Sequence, residues 1–239
     1  LLSQNADDGF DTALQYKPDA ILLDMRLPDH SGLTVLERLK ENPATRHIPV
    51  HVVSVEDRKE AALQMGAVGY AMKPTTREEL KDVFSRLEAK LAQKVKRILL
   101  VEDDALQRES MSRLIEDVDI EITAVEFGAQ ALELLRDTVF DCMIIDLKLP
   151  DMDGSELLER MAKEDICSFP PVIVYTGRNL TRDEEAALLK YSRSIIIKGA
   201  RSPERLLDEV TLFLHKVESD MPPERQKMLK SARSREKAF

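Results

Sequence analysis

Short apolar runs alternate with amphipathic stretches along most of the chain. In the second half the apolar runs are typical of buried strands, and apolar residues at helical spacing separate them. The predicted elements are strands at 97–101, 121–125, 141–146, 171–176 and 194–198, and helices at 106–116, 128–136, 155–163, 181–191 and from Pro203 onward. Five strands that alternate with five helices predict a doubly wound, parallel α/β sheet.

The chain contains an internal repeat. Residues 23–32 (LDMRLPDHSG) recur as residues 145–154 (IDLKLPDMDG), at an offset of 122 that also aligns Ser54 with Thr176. A self-similarity of this kind predicts two copies of one domain. The first copy opens inside the counterpart of the second strand, so we expect it to lack its opening strand and helix. We infer a longer parent protein.

We predict three segments: a first domain at 1–93, a second at 94–218, and a basic helical connector or tail at 219–239. A helix that begins at Thr75-Thr76 and runs toward Gln93 joins the domains without a flexible linker, which suggests a semi-rigid connection. In the tail, Pro222-Pro223 suits a helix start, and basic residues outnumber acidic ones. This segment is either a solvated connector or an interaction helix.

Composition restricts the class of protein. The chain has 43% hydrophobic and 33% charged residues, a balance typical of a folded globular protein. Its net charge of −9 argues against binding to nucleic acid. The sequence has neither a long apolar run nor a signal peptide, so we expect a cytoplasmic protein without membrane insertion. Cys142 and Cys167 are interpreted as small packing residues.

Polar side chains of the second copy follow the ends of four predicted strands, and in a parallel sheet these ends share one edge. They are Glu102, Asp103, Asp146, Thr176 and Lys198. Clustered carboxylates repel one another unless a cation lies among them, and Mg²⁺ prefers oxygen ligands. With that cation present, the Asp146 carboxylate could attack a phosphoryl donor. The Lys198 ammonium and the Thr176 hydroxyl could bind the transferred oxygens.

The second copy resembles bacterial response-regulator receiver domains over about 96–217. The resemblance is carried by Val-Glu-Asp-Asp at 101–104, by the motif at 145–154, by Thr-Gly at 176–177 and by the lysine after the fifth strand. It implies a flavodoxin-like (βα)5 fold. It also implies that Asp146 is the phosphoacceptor, Thr176 the switch hydroxyl and Lys198 the phosphate-binding lysine. The implied Mg²⁺ ligands are Glu102, Asp103, Asp146 and the backbone carbonyl of Lys148.

Two positions depart from the pattern that this resemblance implies. Gly199 follows Lys198 where the family commonly has a proline with a cis bond, and Ile195 fills the position of the aromatic switch residue. The first departure affects the geometry of the last loop. The second removes the usual coupling between the hydroxyl and an aromatic ring, so the output of the domain is expected to differ from the common one.

The first copy matches the family pattern in part, with Asp24, Ser54, Lys73 and the aromatic Tyr70 at the corresponding positions. It has no counterpart of the acidic pair within this chain. We therefore expect Asp24 to be silent in phosphotransfer, with Val55 narrowing access to it further.

The leading hypothesis is a phosphorelay switch, in which phosphorylation of Asp146 moves the surface formed by the fourth helix, fifth strand and fifth helix of the second copy. The phosphodonor would be a histidine kinase or a phosphotransfer domain, and the output partner a protein; a homodimer is left open. No phosphodonor histidine motif or ATP lid is recognisable, so the chain itself lacks a kinase core. Paired receivers suggest the C-terminal part of a hybrid sensor histidine kinase.

The alternative hypothesis is a phosphorylation-independent interaction or dimerisation module, a pseudo-receiver, and it applies above all to the first copy. A phosphatase of the haloacid dehalogenase type is disfavoured, because its Asp-x-Asp motif is absent at 146–148.

Overall fold

The computed structural model describes residues 1–56, 58–74, 76–93, 95–164 and 169–234. The chain divides into two compact units. The first comprises Leu1–Lys94 and His215–Asp220, and the second comprises Val95–Leu214 and Met221–Phe239. Each unit is an α/β fold around its own parallel sheet, which confirms the predicted fold class.

The first unit contains a three-stranded sheet in the order β1-β2-β3. Its elements are α1 (Ala6–Tyr16), β1 (Ile21–Asp24), α2 (Gly32–Glu41), β2 (Val50–Ser54), α3 (Lys59–Gln64), β3 (Gly69–Met72) and α4 (Arg77–Ala92). The prediction that the chain opens inside a strand is wrong, because residues 1–5 form no strand. A strand requires a neighbour for its backbone hydrogen bonds, and none of the three described strands of this sheet pairs with residues 1–5. Thr75, part of the predicted cap of α4, lies outside the described residues.

The second unit contains a five-stranded parallel sheet in the order β5-β4-β6-β7-β8. Its elements are β4 (Lys96–Val101), α5 (Ala105–Ile115), β5 (Ile120–Val125), α6 (Gly128–Asp137), β6 (Cys142–Ile145), α7 (Gly154–Lys163), β7 (Val172–Thr176), α8 (Arg182–Leu188), β8 (Ser194–Ile197) and α9 (Ser202–Phe213). All ten elements predicted for this copy are present.

Helices cover both faces of this sheet, so its middle strand is buried on each side. Met143 and Ile145 of β6 face the core beneath α6 and α7, whereas Cys142 and Ile144 face the core beneath α5 and α9. All four residues of β6 are buried. This explains why β6 reads as a continuous apolar run rather than an alternating one. Cys142 packs as predicted, and Cys167 lies outside the described residues.

Helix α8 is shorter than predicted. The capping box at its start is present, since the Thr181 and Glu184 side chains each accept a hydrogen bond from the other's backbone N–H. The helix ends at Leu188 instead of continuing to Tyr191. The Leu188 carbonyl accepts hydrogen bonds from both the backbone N–H and the hydroxyl of Ser192, at 2.8 and 2.9 Å. The Tyr191 N–H donates to the same carbonyl, three residues back, at 3.0 Å, so the chain tightens into a turn before β8.

The predicted basic helix near the C-terminus is α10 (Pro223–Arg233). Its Leu229 is fully buried against Leu207 of α9 and Met221, so the helix is not solvated on all sides. Arg233 forms an ion pair with Asp208 of α9 at 3.4 Å. The tail residues Arg235 and Lys237 lie outside the described residues. Among the described residues, every helix is too short or too polar to cross a bilayer.

Candidate acidic site at the carboxyl edge of the sheet

The parallel strands of the second unit bring the predicted polar residues together. Glu102 follows β4 directly, Asp146 follows β6, Thr176 ends β7 and Lys198 follows β8. Carboxylate oxygens of Glu102, Asp103 and Asp146 all lie within 4.8 Å of one another. Glu102 and Asp146 are buried, whereas Asp103 is exposed. Asp103 is therefore the solvent-exposed member of a cluster whose other two carboxylates are buried.

Lys198 supplies the positive charge within this cluster. Its Nζ donates to Asp146 Oδ2 at 2.6 Å and to Glu102 Oε2 at 2.8 Å. Burial raises the pKa of the Glu102 carboxyl, and the hydrogen bond from Lys198 offsets this only in part. Burial acts to lower the pKa of Lys198, but its bonds to the two carboxylates outweigh burial and raise it. The two directions agree physically, because Lys198 has two anionic partners whereas Glu102 shares one cation.

Backbone hydrogen bonds between the strand ends hold these groups in place. The Lys198 N–H donates to the Thr176 carbonyl at 2.7 Å, and the Asp146 N–H donates to the Val101 carbonyl at 2.9 Å. The Lys148 N–H donates to Asp146 Oδ1 at 3.2 Å. A pocket of about 370 Å³ opens here, and its lining includes Asp146, Lys148, Thr176, Arg178 and Lys198. It provides space for a small anionic group next to Asp146.

The glycine of the repeated motif allows α7 to begin against the backbone of the acidic residue. A Cβ at Gly154 would lie 2.7 Å from Leu147 Cα and 2.8 Å from the Asp146 carbonyl oxygen. The Gly154 N–H also donates to the Leu147 carbonyl at 2.7 Å. No larger side chain fits without moving the loop that carries Asp146.

The same motif has a second function that was not predicted from the sequence, the capping of a neighbouring helix. The Asp151 carboxylate accepts hydrogen bonds from the N–H groups of Gly128 and Ala129 at the start of α6, both at 2.9 Å. In the first unit, Asp29 accepts from the Ala6 N–H at the start of α1. Partial burial acts to raise the pKa of Asp151, but these backbone donors outweigh it and the pKa is lowered. The recurrence of the aspartate in both copies was the available signal.

Arg178, two residues after Thr176, was also missed. Its guanidinium donates to Asp153 Oδ2 at 3.1 Å and forms a second ion pair with Glu184. Its backbone N–H donates to the Thr176 hydroxyl at 3.2 Å. Arg178 thus connects the loop after β7 with the first residues of α7 and α8.

An aromatic residue near the cluster, Tyr175, lies on β7, whereas the switch position is occupied by Ile195. Ile195 is partly buried and packs into the core beneath α6 and α7. Lys198 Nζ lies 5.5 Å from the centre of the Tyr175 ring. The Tyr175 hydroxyl is 2.7 Å from the hydroxyl of Ser202 at the start of α9. Tyr175 therefore links the site to α9.

The corresponding site of the first unit has a different charge pattern. Lys73 forms an ion pair with Asp24, and the Lys73–Pro74 bond is cis. Burial acts to raise the pKa of Asp24, but the hydrogen bond from Lys73 and other contacts outweigh it and lower the pKa. Among the described residues, Asp24 belongs to no group of three potential metal ligands.

The other two predicted residues of the first unit are linked through Glu56. The buried Ser54 hydroxyl accepts from the Glu56 N–H at 2.9 Å, and the Tyr70 hydroxyl donates to the Glu56 carbonyl. Glu56 stands at the position of Arg178, at the same offset of 122. At this position the first unit therefore has an acidic side chain, whereas the second unit has a basic one.

A doubly wound sheet with paired acidic residues, a hydroxyl and a lysine at one edge defines the class of domain. The family model of the response regulator receiver domain matches residues 2–85 and 98–211. The chain belongs to this family, with two copies in tandem. Receiver domains are modules of two-component signalling, and this chain is therefore a two-component signalling protein.

The relatives with similar sequences are longer proteins. A protein described as "Probable cyclic di-GMP phosphodiesterase" from Vibrio cholerae is 37% identical over 127 residues, which cover 52% of this chain and 28% of that protein. Response regulator PleD from Caulobacter vibrioides is 37% identical over 101 residues, covering 40% of this chain and 20% of PleD. The chain thus spans under a third of these relatives.

Solved structures with similar coordinates include a CheY-like response regulator receiver domain protein from Methanospirillum hungatei. It is 27% identical to this chain, with a TM-score of 0.46, and the alignment covers 53% of this chain and 99% of that structure.

Proposed function

We propose that the second unit accepts a phosphoryl group on Asp146 in a two-component phosphorelay. The observation that carries this proposal is the position of Lys198 Nζ, 2.6 Å from one Asp146 oxygen and beside a pocket large enough for the group. A lysine so placed can neutralise charge on the carboxylate before transfer and on the phosphoryl oxygens afterwards.

The transfer needs no reactant other than the phosphodonor, because one bond to phosphorus forms as another breaks. An Asp146 carboxylate oxygen attacks the phosphorus of a phosphohistidine, the new O–P bond forms, and the N–P bond breaks. The electron pair remains on the imidazole nitrogen, which takes up a proton. Thr176 and Lys198 then bind oxygens of the phosphoryl group. The product is an acyl phosphate on Asp146.

The residues present fit a Mg²⁺ site. Three carboxylates offer oxygens within 4.8 Å of one another, and oxygen is the donor that this cation prefers. Glu102, Asp103, Asp146 and the backbone carbonyl of Lys148 are the residues that would hold it. When bound, Mg²⁺ supplies positive charge that offsets the repulsion between the carboxylates and an incoming phosphoryl donor.

The first unit is proposed to be regulatory or silent in phosphotransfer. In the part of the chain that the structure describes, Asp24 belongs to no group of three potential metal ligands, and Glu56 stands where Arg178 stands in the second unit. The Glu56 side chain supplies no positive charge for a phosphoryl group, whereas the Arg178 guanidinium does. These observations favour a phosphorylation-independent interaction module for this unit, as a second candidate function.

The phosphodonor is proposed to be a histidine kinase or a phosphotransfer domain, and the output partner a protein that recognises the surface of α8, β8 and α9. A hybrid sensor histidine kinase is the proposed parent. Cytoplasmic location is part of the same proposal.

The test is phosphorylation by a small phosphodonor such as acetyl phosphate in the presence of Mg²⁺. We expect one alkali-labile adduct on the chain, lost in Asp146→Asn and retained in the matched variant Asp24→Asn. Omitting Mg²⁺, or introducing Asp103→Asn, is expected to reduce the adduct strongly. An adduct that persists in Asp146→Asn and disappears in Asp24→Asn would reverse the assignment of the two units.

A further inference from the structure

Arg178 bridges two helix N-termini through carboxylates that each serve a second purpose. Asp153 Oδ1 caps α7 by accepting from the Ser155 N–H at 2.9 Å, while its Oδ2 accepts from Arg178. Glu184 Oε2 accepts from the Thr181 N–H at 2.8 Å in the capping box of α8, while its Oε1 accepts from Arg178. One guanidinium therefore connects both caps.

The same arginine borders two cavities. It lines the pocket that contains Asp146, Thr176 and Lys198, and it lines a groove of about 210 Å³ between α7 and α8. Its side chain is 46% exposed, so the guanidinium has room to turn. A planar guanidinium with several N–H donors suits a phosphoryl group at least as well as carboxylates.

Charge decides which partner Arg178 prefers. A phosphoryl group on Asp146 would carry about two negative charges and three acceptor oxygens, and the Asp146 side chain that bears it is less exposed than that of Asp153 or Glu184. Ion pairs as exposed as those with Asp153 and Glu184 are individually weak. The new group would therefore compete successfully for the guanidinium.

We propose that Arg178 couples the phosphoryl group on Asp146 to the position of α8, by leaving Asp153 and Glu184 and binding the phosphoryl oxygens. This inference rests on the proposed function, since it requires phosphorylation of Asp146. Once Arg178 has turned, Asp153 and Glu184 have lost their shared cation and face an added dianion. Their mutual repulsion moves the start of α8 away from α7 and widens the groove. The device works without an aromatic residue at position 195.

The first copy provides a comparison within the chain. At the offset of 122, the three positions of the bridge are occupied by Ser31, Glu56 and Ala62. Glu56 instead pairs with Arg26 and Arg58, each at 3.2 Å. The repeated fold therefore forms without this bridge, and the bridge is a particular property of the second copy.

The test is hydrogen exchange of the full chain with and without Mg²⁺ and beryllofluoride, a phosphoryl mimic. The variants are Arg178→Ala, Arg178→Gln, which keeps most of the side-chain volume, and the matched control Arg182→Ala, an exposed arginine in the first turn of α8. In wild type and Arg182→Ala, we expect the mimic to accelerate exchange at 181–188 on the order of two- to fivefold, the factor that an exposed ion pair contributes. In both Arg178 variants, exchange there should be fast before the mimic is added and change no further.

Protection at 144–150 reports separately whether the mimic occupies the site. If the mimic protects 144–150 in every variant while 181–188 responds alike with and without Arg178, the coupling by Arg178 is overturned and the proposed function stands. If the mimic protects 144–150 in no variant, the proposed function fails and the coupling fails with it.

Discussion

At the scale of single residues, the site depends on close contacts between backbone segments that only glycine allows. Gly154 is such a position, because α7 begins within van der Waals distance of the backbone of Asp146 and Leu147. Gly32 has the same relation to Asp24 and Met25 in the first unit. The glycine is needed for the approach of two backbone segments, since neither position has a left-handed backbone conformation.

We expect Gly154→Ala to lower the free energy of unfolding of the second unit by about 1–3 kcal/mol, the usual cost of forcing a methyl group into a packed site. The loop that carries Asp146 should shift as well, so the rate of phosphorylation by acetyl phosphate should fall. Urea denaturation and the labelling rate measure the two effects. Gly199→Ala is the matched control, because a Cβ there meets no atom within 4 Å; an equal loss in both variants would contradict this explanation.

At the scale of elements, the first turns of the helices are hydrogen-bonded or ion-paired to side chains from the loops that follow β6 and β7. The loop after β6 contributes Asp151 to the first turn of α6 and Asp153 to its own helix α7. The loop after β7 contributes Arg178, which reaches both α7 and α8. The position of each helix is therefore sensitive to the loops that form the acidic site.

Asp151→Asn keeps one acceptor oxygen but loses the negative charge and the second acceptor, so we expect it to destabilise the second unit by about 0.3–1 kcal/mol at neutral pH, the usual size of the interaction of a carboxylate with a helix N-terminus. The pKa of Asp151 is lowered in the folded state. Its contribution is therefore present above the ordinary aspartate pKa of 3.8 and is lost as pH falls through the lowered value. Urea denaturation of wild type and variant at several pH values should show the difference shrinking toward acid pH.

Asp137→Asn, at the exposed opposite end of α6, is the matched control for the cap. A carboxylate at a helix C-terminus interacts unfavourably with the helix dipole, so its removal should be neutral or slightly stabilising. A difference between Asp151→Asn and wild type that stays constant with pH would argue against a role for the charged carboxylate.

At the scale of the whole molecule, the sequence specifies the two sheets and the residues at their carboxyl edge well. Strand ends follow from apolar runs, and the repeat assigns Asp24 and Asp146 to equivalent places. The contacts that the sequence did not predict depend on where side chains point once the fold has packed. The bridge by Arg178 and the contact of Tyr175 with Ser202 join residues that no local pattern relates. The end of α8 at Leu188 was not predicted because the tighter turn that follows, in which the Tyr191 N–H donates to the Leu188 carbonyl, leaves no mark in the helical periodicity.

The packing of α10 was left open by the sequence for the same reason, and it gives the last prediction. Leu229→Ala removes a fully buried side chain. In a cooperative core, such a change lowers the free energy of unfolding by about 2–5 kcal/mol. The apolar contacts described for α10 are confined to a small cluster with Leu207, Met221 and Met228. The helix should therefore detach before the core of the second unit unfolds.

Hydrogen exchange should then rise strongly at 223–233 and remain unchanged in β6, whose four residues are all buried in the sheet. Lys230→Ala, on the exposed face of α10, should leave both regions as in wild type. If Leu229→Ala raises exchange in β6 as much as in α10, the helix is part of the cooperative core of the second unit. If it raises exchange only at 223–233, α10 is a separately detachable cover of α9, and detachment exposes Leu207 on a helix of the proposed output surface.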